Sequence, residues 1–285
     1  MMMTPNLSGK IAVVTGASRG VGRGIAQVLG EAGATVYVTG RSVRGAATTE
    51  NLPGTIDETA ELVTAMGGTG IPVRCDHTVD AEVAALFERV RQEHGRLDLL
   101  VNNVWGGYEH YDTHKFDGPF WEQPWWYWEG MFVAGVRAHY LASRFAASLM
   151  LPHRRGLIIN ISSGDGQKYR GNLLYDVAKT AVDRLAAGIA HELRSSTIAA
   201  LSLYPGFVRT ERVMAVHAAH PFDLSQTETP EYTGRAVAAL AGDPDVMRWS
   251  GSVVKVGELA RVYGFTDRDG TQPPPFTFEE PGSLA

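Results

Sequence analysis

The sequence predicts a doubly wound α/β fold, a mostly parallel seven-stranded sheet with helices on both faces. Two observations predict it. Short apolar runs rich in β-branched residues alternate along the chain with longer amphipathic segments. The runs are almost continuously apolar, as strands covered on both faces must be, instead of alternating between apolar and polar.

Taken in order, the first strand is "IAVVT" (11–15), whose glycine-rich sequel opens a helix. The second is "TVYVT" (35–39) and the third "GIPVRC" (70–75), each rich in valine, isoleucine or threonine. The amphipathic "EVAALFERVRQEHG" then reads as a crossover helix leading to the fourth strand, "LDLLV" (97–101). A helix is expected to begin near Trp126, before the fifth strand "GLIINI" (156–161). The sixth strand is "IAALSLY" (198–204) and the seventh "SVVKV" (252–256). The tail "GTQPPPFTFEEPGSLA", with its prolines and glycines, reads as an irregular or partly disordered arm.

At 285 residues with 44% hydrophobic content, the chain can bury a sizeable core, most simply as one domain with its core at about 8–257 and an arm at about 258–285. A net charge of -5 gives no global field for nucleic acid or an anionic membrane, so neither is expected as a partner. The single Cys75 cannot form an internal disulfide and reads as a buried, inert thiol. The start lacks the order of a signal peptide, and no apolar run reaches the roughly 18 residues of a membrane span, so a cytoplasmic location is expected.

In a doubly wound sheet, ligands bind at the carboxyl ends of the strands. After the first strand comes "TGASRGVGRGIA", with glycines at 16, 20, 22 and 24. Glycine there permits the tight turn and lets backbone N–H groups approach a pyrophosphate at a helix N-terminus. Gly16, Ser18, Arg19, Gly20 and Val21 are assigned to that cradle. The second strand ends "VTGRS", without the acidic residue that recognises a free ribose 2′-hydroxyl. Arg41 there, with Arg19 in the loop, suits a 2′-phosphate, so NADP(H) is expected over NAD(H). Asp76 after the third strand suits the adenine amino group, and Asn102 and Asn103 after the fourth suit the backbone on the adenine-ribose side; all three residue types also cap turns.

The fifth strand ends in "NISSGDG", and Tyr175 and Lys179 follow in "YDVAK", one helical turn apart on one face. An ammonium beside a phenol favours the phenolate, lowering the tyrosine pKa from about 10. Tyr175 is then a general acid for carbonyl reduction, and Ser163 a hydrogen-bond partner for the carbonyl oxygen.

Together these segments resemble the short-chain dehydrogenase/reductase family over about residues 8–257: "TGASRGVG", "NNVWG", the Ser and Tyr-x-x-x-Lys set, and "YPGFVRT". Within it, "TGRS", "AHEL", "RAVAALAGDPD" and "LARVYGFTDRDG" are most similar to the group around dehydrogenase/reductase family member 1. The resemblance implies a Rossmann-like sandwich, NADPH-dependent reduction of a small-molecule ketone or aldehyde, a carboxamide held by Thr210 and the Val208 backbone, and coenzyme binding by Pro205 and Gly206 of the same motif. It also implies a homodimer or homotetramer through helices at about 126–152 and 172–195.

Two departures stand out. Counting from Ser163, the loop to Tyr175 is one residue shorter than the family's usual length, which Ser162 would restore; Ser163 is preferred as the second serine of the strand end. The family's catalytic asparagine falls on Gly135, so a proton relay from Lys179 is expected to run through water and the Gly135 carbonyl.

Residues 120–135 hold four of the six tryptophans, and Trp105 lies just upstream. With Phe207 and the loop at 211–225, Trp105 and the 121–126 portion read either as an apolar wall for a bulky carbonyl compound or as packing and subunit contacts. For Trp128, packing is the reading. The pairs His110 and His114, and His217 and His220, have ligand-like spacing but no further ligands, so no metal is expected.

Overall fold

A computed structural model describes residues 5–109, 116–163 and 168–278. Seven strands form one sheet in the order β3-β2-β1-β4-β5-β6-β9. They are β1 (Ile11–Val14), β2 (Thr35–Gly40), β3 (Thr69–Arg74), β4 (Leu99–Asn102), β5 (Gly156–Ile161), β6 (Ile198–Tyr204) and β9 (Val253–Lys255). Every pairing in the sheet is parallel. The order reverses between β1 and β4, and the crevice at their carboxyl ends is where such a sheet binds ligands.

The near-continuous apolar strands have a direct explanation. In β1, Ala12 and Val14 join one core while Ile11 and Val13 join a second on the opposite face. The first core packs α1 (Gly20–Glu31), α2 (Ile56–Ala65), α7 (Pro230–Gly242) and α8 (Val256–Tyr263) against the sheet. The second packs α3 (Asp80–His94), α4 (Ala138–Met150) and α5 (Leu173–Leu193). Both faces being dry, no polar alternation is possible. Cys75 lies buried just past β3, its thiol pushed up to about 12 by burial, as an inert thiol requires. Pro72 sits in β3, an edge strand of the sheet.

The structure departs from the sequence reading in three places. A two-stranded parallel ribbon, β7 (Phe207–Val208) with β8 (Thr227–Glu228), flanks α6 (Glu211–Ala219); strands of two residues leave no periodicity to detect. The helix expected near Trp126 begins as a nine-residue π-helix, Glu129–Arg137, running into α4. The C-terminal segment is irregular beyond α8 but tied down. Gln272 Nε2 donates to Ala260 O at 3.1 Å, Tyr232 Oη to Pro273 O at 3.2 Å, and Lys168 Nζ to Phe278 O at 2.8 Å. The expected boundary near 257 therefore cuts through α8.

Candidate active site

The turn after β1 takes the shape its glycines allow. Gly16 and Gly20 have φ of 63° and 54°, in the left-handed region. A Cβ on Gly22 would lie 2.4 Å from Gly16 O and 2.5 Å from Asn103 Nδ2, so side chains are excluded from the cradle. Asn103 braces it from β4, donating to Thr15 O at 3.0 Å and Gly16 O at 2.9 Å. Ser18 is buried in the turn, and Val21 packs on the first core.

The N-terminus of α1 holds a carboxylate: Gly20 N donates to Glu211 Oε2 at 2.8 Å. A carboxylate seated on that amide shows that the N-terminus of α1 accepts negative charge. The two arginines assigned to a 2′-phosphate are engaged. Arg41 is ion-paired with Glu109, while Arg19 donates to Thr49 O at 2.9 Å, Pro53 O at 3.1 Å, Gly54 O at 3.2 Å and Ser42 Oγ at 2.9 Å. Arg19 thus ties the glycine turn to the segment after β2. Asp76 accepts two bonds from Thr78, at 3.0 and 2.7 Å. Burial would raise its pKa, but those bonds and Arg41 outweigh burial and hold it below its ordinary value.

Asn102 does not face the coenzyme side. Fully buried, it donates to Ser143 Oγ and Asn160 Oδ1, both at 2.9 Å, clamping β4 to β5 and α4. A residue inside β4 points into the interior, whereas Asn103, one step on, reaches the cradle.

Three residues assigned to the chemistry converge at the ends of β5 and α5. Asn172 caps α5, accepting from Tyr175 N at 3.0 Å and donating to Phe116 O at 2.7 Å, which seats Tyr175 in the first turn. This cap was missed, although an asparagine before a helical run is its ordinary signal. Tyr175 is 5% exposed, enclosed by the rings of Trp105 at 5.6 Å, Phe116 at 5.5 Å and Tyr108 at 6.3 Å. Tyr108 Oη donates to its phenol oxygen at 3.5 Å. Burial alone would raise the Tyr175 pKa, but the charges of Lys179 and Arg170 and hydrogen bonds from Ser163 and Tyr108 bring it below the ordinary value. Burial lowers the Lys179 ammonium further than Tyr175 and Asp183 raise it. The two serines separate cleanly: Ser163 Oγ accepts from Arg170 Nη1 at 3.1 Å on the side of Tyr175, whose pKa it helps lower, whereas Ser162 is buried and donates to Lys179 O at 3.3 Å.

Gly135 requires a correction to the expected relay. Its carbonyl accepts the Ala138 N–H, and its Cα faces the indole of Trp105. The Lys179 ammonium sits 3.8 Å from the centre of that indole. Trp105 thus fills the space between Gly135 and Lys179 that a relay would need.

The other tryptophans split. Trp126 packs on Tyr127 with ring centres 4.4 Å apart, and Trp128 stacks on Phe132 at 4.1 Å. Trp121 and Trp125 are 73% and 81% exposed, so they form no pocket wall in this chain alone. Phe207 stacks on Phe222 at 5.5 Å beside α6. Pro205 and Gly206 form the turn from β6 to β7, Thr210 N donates to Val208 O at 2.8 Å, and Thr210 Oγ1 caps α6. Behind this turn, Glu228 Oε1 accepts from Thr233 Oγ1 at 3.2 Å, and burial pushes its carboxyl up to about 7. His77 and His139, absent from the sequence reading, are buried and held down at about 4 and about 3 by desolvation; His139 Nε2 bonds Val104 O at 3.1 Å. His110 and His114 lie outside the described residues.

A glycine-lined helix N-terminus at the switch point of a parallel sheet, together with a tyrosine whose pKa a lysine one turn away lowers, is an arrangement suited to an oxidoreductase that works on a nicotinamide coenzyme. The chain belongs to the short-chain dehydrogenase family, whose model, described as "short chain dehydrogenase", matches residues 10–221. It is 42% identical over 280 residues to Dehydrogenase/reductase SDR family member 1 of Mus musculus, covering 94% of this chain and 86% of that protein. The Homo sapiens protein of the same name is 41% identical over 281 residues, with the same coverage. Among solved structures, a short-chain dehydrogenase from Mycobacterium thermoresistibile superposes with a TM-score of 0.80 at 24% identity, covering 98% of this chain and 99% of that one. A metagenomic short-chain oxidoreductase in complex with NADP gives 0.67 at 30% identity, covering 87% and 96%.

Proposed function

We propose that this protein is an NADPH-dependent reductase of bulky apolar ketones or aldehydes, with Tyr175 as general acid. The observation that carries the reading is the phenol of Tyr175, held in an aromatic enclosure with Tyr108 Oη at 3.5 Å, lowered in pKa and set one turn from Lys179. A bound NADPH supplies the hydride equivalent. The chain's own part is to hold the coenzyme's phosphates at Gly16–Val21, orient a carbonyl oxygen on Ser163 and Tyr175, and deliver the Tyr175 proton to that oxygen. Asn103, Pro205, Gly206, Val208 and Thr210 line the coenzyme's path.

NADP(H) is favoured over NAD(H) because no acidic residue follows β2, where Arg41 and Ser42 stand. A 2′-phosphate there would draw Arg41 away from Glu109. The preference for bulky apolar substrates rests on the aromatic enclosure of Tyr175 by Trp105, Tyr108 and Phe116. Run in the other direction, the same residues make an NADP-dependent alcohol dehydrogenase.

Between the helix at 129–150 and α5 lies an apolar groove of about 660 Å³ lined by Phe132, Val136, Tyr140, Leu185 and Ile189, with Trp128 at its edge. A second copy of the chain is the proposed occupant, giving a homodimer or homotetramer, to be checked by light scattering of the wild type against Tyr140→Glu. Among the described residues no helix is long and apolar enough to cross a membrane.

The decisive experiment follows NADPH oxidation over ketones, aldehydes, quinones and steroid-like compounds with wild type and Tyr175→Phe. Turnover should fall on the order of a hundredfold or more in the variant while NADPH binding persists. Undiminished turnover in Tyr175→Phe refutes the assignment; an active wild type that prefers NADH refutes the coenzyme choice.

A further inference from the structure

Arg170 lies just before α5, between the two catalytic segments and the C-terminal arm. Its Nη1 donates to Ser163 Oγ at 3.1 Å, and its guanidinium carbon is 5.7 Å from the centre of the Tyr175 ring. The same guanidinium meets two rings of the arm, Phe276 at 5.5 Å and Phe278 at 4.6 Å. Its backbone N–H is fixed by Asp176 Oδ2 at 2.9 Å. Among the described residues no carboxylate pairs with the guanidinium.

A guanidinium can only donate hydrogen bonds, and a serine hydroxyl has a single proton to give. Once a lone pair of Ser163 Oγ accepts from Arg170, the serine proton is left for another acceptor. In this site the acceptor is the oxygen of Tyr175 or of a bound carbonyl. The arginine also places a second positive charge beside a phenol that already faces Lys179. A cation stacked on aromatic faces keeps its charge in partly dry surroundings without an acidic partner that would cancel its field.

We propose that Arg170 is a positioning residue of this site: held by Phe276 and Phe278, it turns Ser163 into a committed donor and favours the Tyr175 phenolate. The inference rests on the reading of Tyr175 as the proton-transferring group. It gives the C-terminal arm a part in catalysis through the contacts of residues 272–278 with α7, α8 and Lys168.

The test compares wild type, Arg170→Met, Arg170→Lys and Phe278→Leu. The first readout needs no substrate: alkaline titration of phenolate absorbance, with Tyr175→Phe subtracted to isolate the one phenol. In Arg170→Met, Tyr175 should titrate about one pH unit higher, and the high-pH fall in the reduction rate should move up with it. Turnover should drop on the order of tenfold with KM for NADPH unchanged, since the arginine acts on the phenol and serine. Arg170→Lys, which keeps the charge without the fork, should recover part of the titration shift, and Phe278→Leu should reproduce part of it. In a Ser163→Ala background, Arg170→Met should cost no more than about threefold, because the hydroxyl it orients is gone. An unmoved Tyr175 titration, or a full tenfold loss that simply multiplies with Ser163→Ala, overturns the inference. Either result alongside an inactive Tyr175→Phe leaves the proposed function standing, whereas an active Tyr175→Phe removes that function whatever Arg170 does.

Discussion

Replacing Gly135 with asparagine restores a side chain that the family carries at this position, yet here it should harm the protein. A Cβ at residue 135 would lie 2.8 Å from Trp105 Cζ3 and 2.9 Å from Cε3, closer than real Cβ contacts come. The indole has little room to retreat, because it packs on Tyr175 at 5.6 Å and Tyr108 at 6.2 Å and carries the Lys179 ammonium at 3.8 Å. Forcing extra atoms into such packing costs about 1–3 kcal/mol. Displacing the ring from the ammonium adds about 0.5–2 kcal/mol. For a chain of this size each kcal/mol lowers the melting temperature by about 2–4 °C, so a fall of roughly 3–20 °C is expected. Lys179 would also lose its seat, and turnover should drop on the order of tenfold. Thermal denaturation followed by circular dichroism, paired with NADPH oxidation on the best substrate, measures both. Gly135→Ala isolates the Cβ and should show most of the stability loss; adding Trp105→Ala to Gly135→Asn should restore much of it. If Gly135→Asn instead raised turnover at unchanged melting temperature, the indole would not be the obstacle described.

Three other outcomes are expected. Arg41→Ala should weaken NADPH binding without affecting NADH, and Glu109→Gln, which frees Arg41 from its ion pair, should tighten NADPH several-fold; fluorescence titration of both coenzymes decides this. Glu211→Gln removes a carboxylate from the N-terminus of α1 and should tighten either coenzyme by about 0.3–1 kcal/mol, read by calorimetry at low ionic strength. The Glu228 carboxyl, raised to about 7 in the folded protein, favours folding below its unfolded pKa of about 4.5, and that contribution is lost as pH rises through 7. Glu228→Gln should therefore be more stable than wild type above pH 8, by on the order of 2–3 kcal/mol, with the gap closing towards pH 4 in urea melts.

The sheet was legible because its strands carry apolar side chains on both faces, and the placement of chemistry followed from the strand ends. "GLIINI" and "IAALSLY" coincide with β5 and β6, and Ser163, Tyr175 and Lys179 meet where those ends and α5 converge. What stayed hidden was set by contacts distant in sequence. Nothing around Trp105 announces that its ring will support a lysine 74 positions later, or that Gly135 is small because that ring lies against it. Arg170 carries no motif; its role comes from Ser163 on one segment and two phenylalanines beyond the last helix. The partners of Arg19 and Arg41 were equally beyond reach, since Glu109 lies in the segment after β4 and Thr49, Pro53 and Gly54 lie in the connection between β2 and α2.

Pro72 has a consequence for behaviour at high concentration. An outermost strand is a template on which another molecule can build by main-chain hydrogen bonds, and a residue without an amide proton interrupts that template midway. With Arg74 charged on the same strand, this margin resists the stacking that leads to insoluble aggregates. Exchanging Pro72 for valine should leave the fold intact while shortening the time before a concentrated solution turns turbid.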